Sequence, residues 1–291
     1  MSKVRCVVPS QNELGETPLW CPRTNAVWWL DIERPKLQSF DPSTGRRRSF
    51  SFSCAFLGSL ALRRSGGFLL ALDLGLHAFD PATGELAHFC DVETARWNNR
   101  LNDGRCDTRG RFWVGTMDVG LKAPTGALYS VDAEKTVTRH EQGVIVSNSI
   151  ALSPDQRTLY FSDTRRFTMW AFALDPELGV LSNRRVFVDH TATGDRPDGA
   201  CVDEEGCVWV AMFAGSRIAR YRPNGLLDRT IPVPVTNPTC VCFGGSDLST
   251  LYITSARKFL SPAQLAAEPL AGALLAIEPG IRGIPEAQFA G

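Results

Sequence analysis

The sequence has no excess of charge of either sign, because 31 basic residues balance 31 acidic ones across its 291 residues. Because the chain carries no net charge, we expect no binding to nucleic acid or to an anionic membrane through bulk electrostatics. No apolar run approaches the roughly 20 residues needed to span a bilayer, and residues 1–9 lack the apolar core of a signal peptide. We therefore expect a cytoplasmic protein with no membrane partner.

Paired metal-binding cysteines and a serine-nucleophile motif are absent too. The closest of the nine cysteines, Cys201 with Cys207 and Cys240 with Cys242, lack the CxxC spacing of zinc sites. We expect all nine to be reduced thiols that act as small apolar residues on strands. No Gly-x-Ser-x-Gly motif occurs, so nothing favours a nucleophilic serine. Four histidines lie outside the motifs described below: His77, His88, His140 and His190.

What the sequence does contain is an internal repeat of about six units, each roughly 40–50 residues long. It is clearest in residues 101–115, 148–163 and 198–211. In each, a short apolar strand meets a turn rich in Asp, Pro or Gly, and an aromatic strand follows, which indicates a β-hairpin. A further strand follows each hairpin, and most units add an outer strand, such as residues 184–188.

Four antiparallel strands per unit, repeated radially, predict an all-β fold, a six-bladed β-propeller that forms one domain over residues 1–291. The strand at residues 4–8 has no hairpin partner, so we expect it to close the ring as the outer strand of the last blade. One helix is predicted, within residues 262–270 of the final unit. A β-sandwich of unrelated hairpins is the alternative, which the recurrent positions of the turns and aromatic residues disfavour.

Polar residues stand at the start of several inner strands, where a propeller should be small and apolar. They are Glu16, Asn102, Asn148, Asp198 and Asn237, whereas the second unit has only Gly58-Ser-Leu60 there. Because the units are related by rotation, these positions converge on the axis at one face of the ring. Each residue alone could cap a turn. Together they predict a metal site, since buried carboxylates are costly unless paired or metal-bound. Oxygen ligands suit Ca²⁺, Mg²⁺ or Mn²⁺, and Zn²⁺ and Fe²⁺ stay open.

The same segments resemble the regucalcin–gluconolactonase family, also called the senescence-marker-protein family. The resemblance covers nearly the whole chain, and the motifs occur in order: GETPLW at 15–20, RLNDG at 100–104, GRFWVGTM at 110–117, GALY at 126–129, SNS at 147–149, PDG at 197–199 and CFGG at 242–245. It implies a six-bladed propeller, one divalent metal and, commonly, hydrolysis of a sugar lactone.

Where a motif of the family matches, the resemblance implies a role for each matching residue of this sequence. The implied metal ligands are Glu16, Asn148 and Asp198. The implied substrate-binding residues beside the metal are Arg100 and Asn102. Some relatives have a substrate-binding glutamate shortly after Gly-Thr-Met, and in this sequence Asp118 is the candidate to replace it.

The implied reaction is the opening of an aldono- or aldarolactone by water, which gives the sugar acid. The metal would polarise the lactone carbonyl, and Asp198 is a candidate general base, with water activated by the metal as the alternative. An aldarolactone carries a carboxylate in addition to its ester. If Arg165, Arg166 or Lys122 binds that carboxylate, aldarolactones would be the favoured substrates. Two other functions stay open: an organophosphate or other ester hydrolase on the same scaffold, and a non-catalytic calcium-binding propeller.

Overall fold

Six four-stranded antiparallel sheets form the fold in the computed structural model, which describes residues 3–291. The chain begins with β1 (Arg5–Val8) and then forms blade 1 from β2 (Gly15–Cys21), β3 (Ala26–Asp31), β4 (Lys36–Phe40) and β5 (Arg47–Ser51). Blade 2 contains β6 (Leu57–Leu62), β7 (Phe68–Leu72), β8 (Gly75–Phe79) and β9 (Leu86–Asp91). Blade 3 contains β10 (Asn99–Cys106), β11 (Phe112–Asp118), β12 (Gly126–Val131) and β13 (Val137–Val144).

The second half of the chain builds three further blades. Blade 4 contains β14 (Ser147–Leu152), β15 (Thr158–Asp163), β16 (Thr168–Asp175) and β17 (Val180–Asp189). Blade 5 contains β18 (Arg196–Val202), β19 (Val208–Phe213), β20 (Arg217–Tyr221) and β21 (Leu227–Pro232). Blade 6 contains β22 (Pro238–Gly244), β23 (Thr250–Ser255) and β24 (Leu274–Ile277), and β1 pairs with β24 as its outer strand. The predicted six-bladed propeller with four-stranded antiparallel blades is confirmed.

Burial falls from the axis outwards within a blade, which explains the two kinds of strand sequence. Every residue of β6 and β7 is buried, and both segments consist of small or apolar residues. In β5, by contrast, exposed side chains alternate with half-buried ones, and two arginines are present. Inner strands are covered on both faces by neighbouring blades, whereas outer strands face water and keep the two-residue alternation of a half-buried strand.

The apolar core lies between adjacent blades, where aromatic rings of one blade contact those of the next. Trp28 of blade 1 packs on Phe68 of blade 2 with ring centroids 4.6 Å apart. Trp209 of blade 5 meets Phe243 of blade 6 at 5.9 Å, and all four side chains are buried. Burial of a Phe-sized side chain stabilises a fold by roughly 1.5–3 kcal/mol. The aromatic residues that recur in the hairpins therefore hold neighbouring blades together.

Two short helices interrupt the strands. Helix α1 (Pro262–Ala267) lies between β23 and β24 and begins at a capping box, in which Ser261 and Gln264 bond reciprocally. It ends three residues before the predicted boundary at residue 270. The 3-10 helix η1 (Thr164–Arg166), between β15 and β16, was not expected. Within residues 3–291, no helix has the length and apolar character needed to cross a membrane. All nine cysteines are free thiols.

The C-terminal segment closes the face of the ring where the inner strands end. Glu286 forms an ion pair with Arg105 of β10. Arg105 also donates to the carbonyl oxygens of Ile150 on β14 (3.2 Å) and Ala200 on β18 (2.9 Å). One guanidinium therefore ties three inner strands to the end of the chain, where Phe289 is fully buried.

Replacing Phe289 by Ala removes a buried ring that meets Phe89 edge-on with centroids 5.3 Å apart. We expect the free energy of unfolding to fall by about 3–5 kcal/mol, measured by urea denaturation followed by tryptophan fluorescence. Leu178→Ala, at a 74% exposed position, is the control and should change stability by less than about 0.5 kcal/mol. Equal stability of Phe289→Ala and the wild type would show that this segment does not hold the ring closed.

Candidate functional site

A cavity of about 440 Å³ opens around the ring axis where the inner strands begin. Six of the polar residues singled out from the sequence line it: Glu16, Arg100, Asn102, Asn148, Asp198 and Asn237. All six are buried and come from blades 1, 3, 4, 5 and 6 or the residues just before their inner strands. Of the described residues, none from blade 2 lines the cavity. The predicted convergence of these side chains is present in the structure.

A break in strand pairing accompanies these side chains at the axis. In these five blades, the ladder between the first two strands changes register between Glu16 and Leu19, Leu101 and Gly104, Asn148 and Ala151, Pro197 and Ala200, and Pro238 and Val241. Blade 2, which lacks a cavity residue, has such a break too, between Leu57 and Ser59, so the break belongs to the repeat itself. Directly after Glu16 and Asn148, Thr17 and Ser149 have positive φ angles of 42° and 55°. Such angles are uncommon for non-glycine residues. They mark bulges, which re-aim side chains beside binding sites.

A directed chain of hydrogen bonds fixes the two amide groups. Arg100 Nη1 donates to Asn102 Oδ1 (2.6 Å), and Asn102 Nδ2 donates to Asn148 Oδ1 (2.8 Å). Asn148 Nδ2 donates to Thr164 Oγ1 (2.8 Å), whose hydroxyl donates to the carbonyl oxygen of Pro197 (2.7 Å). The orientation of each amide is therefore set by its neighbours. Since an amide oxygen has two lone pairs, that of Asn148 keeps one for a ligand.

Glu16 and Asp198 place two buried carboxyl groups in the same cavity, where the charge of Glu16 acts on Asp198. Glu16 Oε2 also accepts the backbone N–H of Thr17 at 2.8 Å. Burial, followed by the nearby charge of Asp103, raises the pKa of Glu16 to about 8. Burial first, and then the charge of Glu16, raises the pKa of Asp198 well above its usual range. Within residues 3–291 neither carboxylate forms an ion pair, so their burial is offset only in part, by the charge of nearby Arg100.

Arg100 supplies positive charge near these carboxylates without pairing with them. Its guanidinium lies 5.3 Å from the ring centroid of Phe56. Burial lowers the pKa of Arg100 to about 10, so the side chain stays charged at neutral pH. Asp103 follows Asn102 in the same motif but was not singled out from the sequence. Its buried carboxyl accepts the backbone N–H of Ile150 at 2.7 Å, and burial raises its pKa to about 6.

The donor set at the axis fits a hard divalent cation. Glu16, Asp198 and Asn148 offer two carboxylates and one amide oxygen, which are ligands that Ca²⁺, Mg²⁺ and Mn²⁺ prefer. Two unpaired buried carboxylates are costly, and a cation between them would remove that cost. No three His, Cys, Asp or Glu side chains in residues 3–291 cluster as a metal-binding group. A cation held at the axis would therefore take an amide oxygen as its third protein ligand.

The structure does not place Asp118 in the cavity. Its Oδ2 accepts the backbone N–H groups of Lys122 and Ala123, each at 2.9 Å. These bonds lower the pKa of Asp118 and fix the loop that follows β11. The loop backbone already engages the Asp118 carboxylate, and the expected role of Asp118 in substrate binding stays a prediction. Asp118 itself does not line the cavity, but Leu121, in the loop that Asp118 fixes, does.

Other cavity residues lie outside the motifs that had suggested a site. They are chiefly two groups at the mouth, the basic residues Arg165, Arg196 and Lys258 and the aromatic residues Phe213 and Phe259. Arg196 stands two residues before Asp198, which is the spacing of the Arg-Leu-Asn motif in blade 3, so the repeat carried a signal for it. Arg165 lies in η1 and Lys258 in the connection after β23, where the repeat does not determine the path of the chain.

The chain is similar along its whole length to known proteins. Residues 14–257 match the SMP-30/Gluconolactonase/LRE-like region. The chain is 38% identical over 290 residues to 6-deoxy-6-sulfogluconolactonase of Pseudomonas putida, with 99% of both covered. It is 34% identical over 296 residues to regucalcin of Xenopus laevis, again with 99% of both covered. The solved structure of a calcium-binding protein, regucalcin, from Agrobacterium tumefaciens matches with a TM-score of 0.94 at 31% identity and covers 99% of this chain and 97% of that one.

Asp198→Asn keeps the shape of the side chain and removes one of the two buried carboxyl groups. In the presence of a chelator, we expect the variant to be more stable than the wild type by roughly 1–3 kcal/mol, because an amide costs less to bury than an unpaired carboxylate. Differential scanning calorimetry would measure the change. Glu134→Gln, which alters an exposed turn carboxylate, is the control. A lower Tm for chelated Asp198→Asn would show that the two carboxyl groups are not in electrostatic conflict.

Proposed function

The chain belongs to the SMP-30/gluconolactonase/LRE-like family, and we propose that it hydrolyses a sugar lactone to the corresponding sugar acid in carbohydrate catabolism. One observation carries the proposal. Two buried carboxylates, an oriented amide and a buried arginine meet in a single cavity at the axis. The full-length similarity to a protein named as a sulfogluconolactonase supports the same chemistry.

The proposed cofactor is one divalent cation held by Glu16, Asn148 and Asp198. When bound, such a cation polarises the lactone carbonyl and stabilises the negative charge that develops on its oxygen. The structural relative described as a calcium-binding protein supports a divalent metal in this role. Hard oxygen ligands favour Ca²⁺, Mg²⁺ or Mn²⁺ over Zn²⁺ or Fe²⁺.

Arg100 and Asn102 are the proposed substrate-orienting residues. Arg100 uses only Nη1 in side-chain hydrogen bonds, to Leu101 and Asn102, so other guanidinium N–H groups are available to the ester or hydroxyl oxygens of the sugar. Both residues are buried and held by the hydrogen-bond chain that ends at Pro197. Groups that are already fixed need little reorganisation when the substrate binds, which favours a productive orientation.

Asp198 is the proposed general base. Its carboxylate takes a proton from water as the water oxygen bonds to the lactone carbonyl carbon. The proton passes to the ring oxygen when the carbon–oxygen ester bond breaks, which leaves a carboxylic acid and a free hydroxyl on one open chain. Apolar cavity walls from Ile32, Met117 and Phe213 limit the access of bulk water to this step.

Removal of the metal should abolish the activity. We expect chelated protein to hydrolyse aldonolactones at least about 100-fold more slowly than protein reconstituted with Ca²⁺, Mg²⁺ or Mn²⁺, and Asp198→Asn to show a similar loss when reconstituted. Initial rates in a pH-stat, corrected for spontaneous hydrolysis, would measure both effects across a panel of aldono- and aldarolactones. Glu134→Gln is the control and should keep the wild-type rate.

The same assay separates the competing functions. Equal rates for chelated and reconstituted protein would exclude the metal-dependent mechanism. Aryl phosphotriester hydrolysis faster than any lactone hydrolysis would favour an organophosphate hydrolase. Metal binding without hydrolysis of any ester would favour a non-catalytic calcium-binding propeller.

Arg100→Gln tests the substrate-orienting role. The change removes a buried positive charge and the first donor of the hydrogen-bond chain, so we expect kcat/KM for the best lactone to fall about 10- to 100-fold. Arg222→Gln, at an exposed position beside β20, is the matched control and should leave kcat/KM unchanged. An unchanged kcat/KM for Arg100→Gln would remove Arg100 from the substrate site.

A further inference from the structure

The cavity contains more positive charge than the proposed chemistry uses. Its basic residues are Arg100, Arg165, Arg196 and Lys258, and its acidic residues are Glu16 and Asp198. A divalent cation at the axis offsets the charge of both carboxylates, so it leaves the basic groups without an anionic partner. Lys258 is the exception, because its Nζ pairs with Glu33.

Arg165 and Arg196 carry most of this unbalanced charge at the cavity mouth. Arg165 Nε donates to the carbonyl oxygen of Leu121 at 3.2 Å, and the side chain forms no ion pair within residues 3–291. Across the same residues, the side chain of Arg196 forms neither a hydrogen bond nor an ion pair. Two guanidinium groups, with most of their donors unused, therefore lie at the wall of a substrate-sized cavity.

The backbone beneath both arginines is held in place. The N–H of Arg165 donates to Asp163 Oδ1 at 3.1 Å, a contact that caps η1. Asp118 fixes the loop that brings the Leu121 carbonyl to Arg165, so Asp118 is a positioning residue for this arginine. Arg196 is the first residue of β18 and pairs with Phe213 of β19. The two positive groups thus come from fixed places on adjacent blades.

We propose that the substrate carries an anionic group remote from its lactone ester and that Arg165 and Arg196 bind this group. A sulfonate, a phosphate and a carboxylate each present two or more oxygens to guanidinium donors, so the shared chemistry is a terminal oxyanion. A neutral sugar hydroxyl accepts a hydrogen bond from a guanidinium, as proposed for Arg100, but it does not balance the positive charge of Arg165 and Arg196. This inference rests on the proposed lactonase activity and narrows its substrate class to anionic sugar lactones.

A matched set of substrates tests the inference. Gluconolactone is compared with lactones of the same ring that carry a sulfonate, a phosphate or a carboxylate at the terminal carbon, and kcat and KM are measured for the reconstituted protein. We expect kcat/KM for the preferred anionic lactone to exceed that for gluconolactone about 10-fold or more. The most active of the three anions identifies the terminal group.

Variants of the two arginines give the decisive comparison. Arg165→Gln and Arg196→Gln should each lower the anionic-to-neutral ratio of kcat/KM about 10-fold, mainly through KM, and Arg196→Lys should recover part of it. Arg222→Gln is the matched control, because it removes an exposed positive charge outside the cavity lining and should leave the ratio unchanged.

Calorimetric titration with the open-chain products provides a readout that is independent of turnover. The product with the terminal anion should bind about 10-fold more tightly than gluconate to the wild type and lose this advantage in Arg165→Gln. Equal kcat/KM for neutral and anionic lactones, or equal Kd for the two products, would overturn the inference and leave the lactonase activity intact. Hydrolysis of no lactone would overturn the proposed function and this inference with it.

Discussion

The burial of two carboxyl groups in one cavity at the ring axis, those of Glu16 and Asp198, determines how the rest of the site is built. Transfer of one such charge out of water costs several kcal/mol, and neither group has an ion-pair partner in the described part of the chain. The groups around them suit a bound cation. Hydrogen bonds from its neighbours orient the Asn148 amide oxygen. Arg100 stabilises the charge of Asp198 from nearby but forms no ion pair with it, so a cation can still bind there. Buried carboxyl groups with raised pKa values are typical of a functional centre.

The propeller tolerates the cost of burying these carboxyl groups because contacts away from the axis stabilise the fold. Aromatic contacts between blades, such as that of Trp28 with Phe68, lie away from the axis, and Arg105 with Glu286 fastens the opposite end of the inner strands. The bulges at the start of those strands are therefore local features of a rigid ring. A rigid ring holds the polar groups in place before any ligand arrives, which is what preorganised catalysis requires.

The repeat made the fold and most of the site predictable, since it converts a position in the sequence into a position around the axis. Asp118 has a structural role that the repeat also encodes, beside its predicted role in substrate binding. It ends β11 as Asp31 ends β3 and Asp163 ends β15, and all three carboxylates accept backbone N–H groups of nearby loops. A role in loop structure was thus encoded in the repeat. Arg165 was less predictable, because its place depends on η1 and on a loop from the preceding blade, which do not repeat.

The central claim is that one divalent cation lies between the two carboxylates and the oriented amide. An anomalous difference map from crystals grown with Mn²⁺ tests it most directly, because the signal locates the metal independently of any activity. We predict one strong peak bounded by Glu16, Asn148 and Asp198, and its loss in crystals of Asp198→Asn. A peak elsewhere in the molecule, or no peak at the axis of the wild type, would contradict the claim.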